Sequence, residues 1–330
     1  MIARTSQYIN GLQLKNRIVL PPMASGKAHN GEVTEELIQH YKKYTDSGVG
    51  LIIIEHSYIN KEGRASEHML NACPDNRENL RKLSEALNKE DVPVFMQLNH
   101  AGAMTNPELT GGRVLSPSGV AAKRDGAEQN PAVMTKEDIQ ELIQDYVEAA
   151  LCVKEAGFDG IELHSAHGYL LNQFYSPLTN QRTDEYGGDL TNRLRIHVEM
   201  IRAVRKAVGE DYPLMVRLGG CDYTEGGSTI EDAVKAAQIL EQEGVHAIDL
   251  SGGMVGWKNP GTNFPFGYFQ DMSWQVREAV GIPVMLTGGI TTLAQAETLL
   301  AERYCDLIGV GRALLENADW MKEQPQYNAA

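Results

Sequence analysis

The chain has 330 residues, 42% of them hydrophobic and 22% charged, a balance that supplies a large apolar core and excludes a disordered polymer. Acidic residues outnumber basic ones by 44 to 30, giving a formal net charge of -14; binding to nucleic acid or an anionic membrane draws on clustered Lys and Arg, so neither is an expected partner. The opening MIARTSQYING has no apolar signal stretch, the longest aliphatic run, VGLIII, is too short to span a bilayer, and the four cysteines form no C-x-x-C pair, which together lead to the expectation of reduced thiols and a cytoplasmic location.

In chain order, RIVL (17–20), VGLIII (49–54), PVFMQL (93–98), FDGIEL (158–163), PLMVRL (213–218), VHAIDL (245–250), IPVML (282–286) and CDLIGV (305–310) read as eight strands. Their hydrophobicity is continuous rather than alternating, as in a parallel sheet buried on both faces. Helical periodicity fills the intervals over 34–48, 76–90, 135–157, 191–209, 229–244, 274–281 and 292–302. Several of these segments open on a capping Thr and close on Gly. Eightfold alternation of strand and helix predicts an α/β fold of the (β/α)8, or TIM-barrel, type. The alternative is an open doubly wound sheet, but no G-x-G-x-x-G follows the first strand, which runs instead into PPMASGKAHNG. No linker or shift of composition divides the chain, so one domain is expected over 1–330.

A barrel places reactive groups just after the carboxyl ends of its strands and a phosphate beside the loops after strands seven and eight. Those loops are TGGI (287–290) and GVGRALL (309–315). Gly288, Gly289 and Gly311 would let backbone N–H groups approach an anion, and Arg312 adds a guanidinium. The plainer reading is that these glycines only close turns. Other strand ends supply Pro22, Met23 and Ala24; Gln97, Asn99 and His100; His164, His167 and Tyr169; Arg217; and Ser251, Gly252 and Gly253. Carboxylates are almost lacking from this ring, which makes it a poor magnesium site, and zinc on His164 and His167 lacks a third ligand, so no metal is expected. The plainer reading of Arg217 is a salt bridge closing the barrel, and His100 is read as structural.

Taken in order, PPMA, QLNHAG, DGIELHSAHGYLLNQFYSPLTNQRTDEYGGDLTNRLR, VRLGG, DLSGG, TGGI and GVGRALLENADW resemble the old yellow enzyme family of FMN-dependent oxidoreductases over essentially the whole chain. The most specific part runs from Asp159 to Arg195. The resemblance implies an FMN across the barrel mouth, with its phosphate on Gly288, Gly289, Gly311 and Arg312. It implies Gln97 at the pyrimidine edge, Pro22, Met23, Ala24 and Gly253 as further cofactor contacts, and Arg217 beside flavin N1, where a fixed positive charge stabilises the reduced ring. It makes His164 and His167 the donors to a substrate carbonyl oxygen. Tyr169 then delivers a proton to the α-carbon, a task suited to a phenol with a pKa of about 10.

Ala24 departs from relatives that carry Thr or Cys near the flavin O4 edge, so a lower flavin potential is expected. The glycine-rich, aromatic loop 252–270 is long enough to cover a pocket and makes Trp257 and Tyr268 expected substrate contacts, unless it is an ordinary surface loop. Larger members of the family continue into an iron-sulfur segment and a nucleotide-binding domain. The end of this chain at Ala330 leads to the expectation that NADPH or NADH reduces the flavin directly. The activity expected is reduction of the C=C bond of α,β-unsaturated carbonyl compounds. A flavin-dependent dehydrogenase or demethylase working in the oxidative direction is the alternative, and a sugar-phosphate aldolase or isomerase would want a lysine or carboxylate at a strand end. A homo-oligomer is one further expectation.

Overall fold

The computed structural model of the protein describes residues 1–87, 92–121, 123–124, 127–128 and 130–323. The last three residues of the helix expected over 76–90, and the last seven of the domain expected over 1–330, lie outside the described residues.

All eight expected strands form: β1 (Ile18–Leu20), β2 (Leu51–Tyr58), β3 (Val94–Asn99), β4 (Gly160–Ser165), β5 (Leu214–Cys221), β6 (Ala247–Gly252), β7 (Val284–Thr287) and β8 (Leu307–Gly309). Each pairs with the next in parallel. Pairing of Ile308 with Ile18 joins β8 back to β1, so the sheet is a closed barrel with no open edge at this seam. Around it lie α1 (Glu35–Thr45), α2 (Arg77–Leu87), α3 (Lys136–Glu155), α4 (Arg195–Val208), α5 (Ile230–Gln242), α6 (Gln270–Ala279), α7 (Leu293–Ala301) and the short α8 (Arg312–Glu316).

Thr135, Thr229 and Thr292 each close a capping box with Asp138, Asp232 and Gln295, which satisfies backbone donors that the helix starts would otherwise leave unpaired. Helix α6 starts four residues before the expected Trp274. Its buried face is Phe269, Met272 and Val276, a helical spacing that leaves Trp274 half exposed. No helix among the described residues is long and apolar enough to cross a membrane.

Inside the barrel, Val19, Leu51, Ile53, Phe95, Met215, Ala247, Met285 and Leu307 form a fully buried apolar layer. It is sealed from below by Ile9 and Leu14 of an amino-terminal hairpin (Gln7–Ile9 with Leu12–Leu14) that the hydrophobic pattern did not announce. The hairpin turns on Asn10 and Gly11, both at positive φ, as a tight two-residue β-turn requires. One strand period further toward the carboxyl ends, the inward positions turn polar: Gln97, Glu162, Arg217, Asp249 and Thr287. The first four are buried almost completely. This polar layer lies between the apolar plug and the mouth of the barrel.

Candidate active site

Above that layer opens a cavity of about 350 Å³, within the size range of small-molecule sites. It is lined by Pro22, Met23 and Ala24 from the β1 end, Gln97 from β3, His164, His167 and Tyr169 from the β4 end, Arg217 from β5, Trp257, residues 287–291, Gly309, Gly311 and Arg312. His56, from β2, completes the lining. All the expected site residues except Gly253 and Tyr268 therefore come together.

Tyr268 sits behind the glycine loop instead of facing the cavity. Gly288 and Gly289 hold φ of 137° and 67°, and a Cβ on Gly289 would lie 2.7 Å from the Tyr268 hydroxyl oxygen and closer still to its ring. Only glycine satisfies both the backbone and the ring at this position. Gly253 is likewise displaced: its N–H donates to the Cys221 carbonyl at 3.0 Å, and a Cβ there would overlap the Asp222 carboxylate, so it packs the β5–β6 junction. At the far side of the cavity, Gly311 starts α8 without a side-chain cap. A Cβ on it would meet the Met23 sulfur at 2.8 Å. The exposed Arg312 follows it and forms no ion pair among the described residues. Backbone donors and a cation thus gather at one end of the cavity, as an anion requires.

Arg217 belongs to the floor. Its Nε lies 3.0 Å from Asp249 Oδ2 with both side chains buried, so it is at once an ion pair of the barrel and a cavity residue. Beside it, Gln97 Nε2 donates to Glu162 Oε1 at 2.7 Å.

The opposite end is built by the turn after β4. His167 and Gly168 are successive residues at positive φ (60° and 76°), which reverse the chain so that Tyr169 caps the helix Leu170–Tyr175. A left-handed histidine costs on the order of 1 kcal/mol or more, and such strain clusters at functional sites. The turn brings the His164 ring within 5.0 Å, centroid to centroid, of both His167 and Tyr169. A 2.7 Å hydrogen bond between His167 Nε2 and the Ser251 hydroxyl fixes that ring. Trp257, 64% exposed at the mouth, stands edge-on to His167 at 5.8 Å.

Burial pushes the His164 ring well below the ordinary histidine range, with His167, Arg217 and His56 adding repulsion. Burial followed by Arg217 and His56 does the same to His167. Both imidazoles are therefore neutral at pH 7, each with one N–H to donate.

His56 was not among the expected residues. The apolar run of the second strand stops at Ile54, whereas a register shift between Ile54 and Ser57 carries β2 on to Tyr58. The His56 ring lies 5.3 Å from that of Tyr169, and its Nδ1 is 3.2 Å from Asn99 Nδ2. Its signal was available, since IIIEHSY continues the strand toward the mouth. His100 lies outside the cavity, fully buried, with Nδ1 accepting from Gly102 N–H at 3.0 Å, in keeping with a structural role. No lysine lines the cavity among the described residues, which removes the amine that a Schiff-base aldolase uses.

Residues 8–327 match the model of the NADH:flavin oxidoreductase / NADH oxidase family. An NADH oxidase of Thermoanaerobacter brockii is 38% identical over 96% of this chain and 49% of its own, so the chain spans about half the length of that relative. An NADPH dehydrogenase of Listeria monocytogenes is 38% identical over 96% of this chain and 93% of its own. Among solved structures, the old yellow enzyme homologue from Zymomonas mobilis superposes with a TM-score of 0.83 at 25% identity, covering 98% of this chain and 92% of the other.

The residues present fit FMN. The end of the cavity lined by Gly288, Gly289, Gly311 and Arg312 suits its phosphate, and the buried Gln97 and Arg217 offer an amide and a cation to the polar edge of the ring. By sequence match over nearly its whole length, and by a barrel whose mouth fits that flavin, the chain belongs to the NADH:flavin oxidoreductase / NADH oxidase family, and its cofactor is FMN.

Proposed function

We propose that the protein is a reductase that takes hydride from NADH or NADPH and delivers it to the C=C bond of α,β-unsaturated carbonyl compounds. The observation that carries this reading is the cluster of two neutral imidazoles and a phenol, His164, His167 and Tyr169, on one wall of the cavity above Arg217. Bound FMN would supply the two-electron carrier between nicotinamide and alkene.

The protein's own part begins with the carbonyl oxygen. Neutral His164 and His167 donate to it, withdraw electron density from the β-carbon, and hold the enolate charge that builds as hydride arrives there. The Tyr169 hydroxyl gives its proton to the α-carbon, so that one hydride and one proton complete the saturated bond. The phenolate recovers its proton from water at the open mouth. Arg217 would offer its fixed positive charge to the polar edge of bound FMN, where reduction adds negative charge. Trp257 at the mouth supplies an apolar wall for the substrate.

The test is an anaerobic visible spectrum of the purified protein, recorded as NADPH or NADH and then 2-cyclohexenone are added. The expected result is a flavin spectrum that bleaches with the nicotinamide and returns with the enone. A flavin that bleaches but is not reoxidised by the enone would defeat the proposed substrate class and direct attention to the oxidative reaction. Protein that cannot be loaded with FMN would defeat the cofactor as well.

A further inference from the structure

Two carboxylates in the polar layer beneath the cavity take no part in the steps above. Glu162 is fully buried on β4; its Oε1 accepts from Gln97 Nε2 at 2.7 Å, and its Oε2 has no partner among the described residues. Asp249 is fully buried on β6; its Oδ1 accepts from the Thr287 hydroxyl at 3.3 Å, and its Oδ2 lies 3.0 Å from Arg217 Nε without the alignment of a hydrogen bond. Among the described residues, Arg217 is the one cation acting on these two carboxylates, all three of them buried. With both ionised, one negative charge would be stranded, and an uncompensated buried ion costs several kcal/mol. One proton in the layer removes that cost.

The groups acting on Glu162 are Asp249 from β6 and Arg217 from β5, while β3 contributes the neutral Gln97. Burial and then the Asp249 charge hold the Glu162 carboxyl well above the usual carboxylate range. Burial also raises Asp249, but Arg217, whose Nε lies 3.0 Å from its Oδ2, pulls against it. Contact with the cation favours the ionised form of Asp249 and leaves the proton to Glu162, whose Oε2 has no partner among the described residues. A neutral acid keeps its carbonyl oxygen as acceptor for the Gln97 amide nitrogen. The Gln97 amide oxygen accepts no hydrogen bond among the described residues, and Gln97 lines the cavity.

We propose that Glu162 is a positioning residue, held as a neutral acid, that fixes the Gln97 amide with its nitrogen toward the barrel interior and its oxygen toward the cavity, ready to accept the N3–H of the flavin's imide edge. The inference rests on the FMN reading of the cavity. Glu162 itself does not line the cavity.

The test compares the full chain with its Glu162→Gln and Glu162→Leu variants, using FMN and N3-methyl FMN, which has no N3–H to donate, in fluorescence-quenching titrations. Wild-type protein is expected to prefer FMN over the N3-methyl analogue. Glu162→Leu should weaken FMN roughly tenfold, the worth of one oriented hydrogen bond, and lose most of that preference. Glu162→Gln, a neutral isostere, should retain both. An infrared spectrum of the cofactor-free chain should show the carbonyl stretch of a protonated carboxylic acid that disappears in Glu162→Gln.

Equal damage from Gln and Leu would overturn the proposal, because it would mean that the negative charge matters. A preference for FMN that survives in Glu162→Leu would overturn it too, as would an infrared spectrum unchanged by Glu162→Gln. Failure of the FMN reading is distinct: the wild-type chain would then bind neither flavin, and the positioning role would fall with it.

Discussion

Replacing Gly289 with Ala tests the anion end of the cavity through two separable costs. The first is backbone strain, because a φ of 67° is left-handed and costs an alanine about 1–2 kcal/mol. The second is overlap, because the new methyl would lie 2.7 Å from the Tyr268 hydroxyl and closer to its ring, an overpacking that costs about 1–3 kcal/mol. Together they amount to about 2–5 kcal/mol, to be found in chain stability, in FMN affinity, or divided between them. The assays are urea unfolding of the cofactor-free chain and an FMN titration of the same variant.

Gly111→Ala isolates the first cost, since Gly111 is left-handed (φ 74°) and a methyl added there would have nothing within 4 Å of it. In a Tyr268→Ala background the overlap vanishes, so Gly289→Ala should then cost no more than Gly111→Ala. The difference between the two backgrounds measures the overlap directly. A Gly289→Ala variant that loses no more than Gly111→Ala in the wild-type background, or one that Tyr268→Ala fails to relieve, would refute the reasoning.

Tyr169→Phe should slow reoxidation of the reduced protein by an enone about 100-fold, at the low end of general-acid contributions, and leave reduction by NADPH or NADH unchanged in stopped-flow traces; equal loss in both half-reactions counts against the proton-donor role. Ala24 lines the cavity without a hydrogen-bonding side chain, so Ala24→Thr or Ala24→Cys should raise the flavin midpoint potential, and an unchanged potential would remove the idea. His197 is fully buried, with its Nε2 2.8 Å from the Ser165 hydroxyl, and burial pushes its pKa down to about 4. The unfolded chain takes up this proton near pH 6.5 while the folded chain does not, so the stabilisation is intact above that pH and drains as pH falls, by about 2 kcal/mol at pH 5. Urea midpoints at pH 7 and pH 5 should therefore fall further for wild type than for His197→Gln, and parallel losses would contradict the assignment.

Much of this molecule was legible from its sequence because the relevant information is local. Continuous apolar runs mark strands buried on both faces, and all eight appeared where those runs stand. The threonine caps are spelled out within four residues, and the strand-end glycines and H-x-x-H-x-Y lie on single turns. What the sequence left open depends on register and closure. Nothing in β1 or β8 alone states that Ile308 pairs with Ile18, yet that pairing decides between a barrel and an open sheet.

A register shift in β2 put His56 into the cavity beyond the point where the hydrophobic run stops. Gly253 and Tyr268 were expected at the site from their loops, but Asp222 and the glycine loop claim them in space. Glu162 is hidden inside GIELH, a run that reads only as a buried strand. Its isolation with Asp249 around one guanidinium exists because the closed barrel turns alternate residues of separate strands inward onto one axis. Strand identity is a property of neighbours along the chain. A buried cluster of charges or a cavity wall belongs to residues that only the closed sheet makes neighbours.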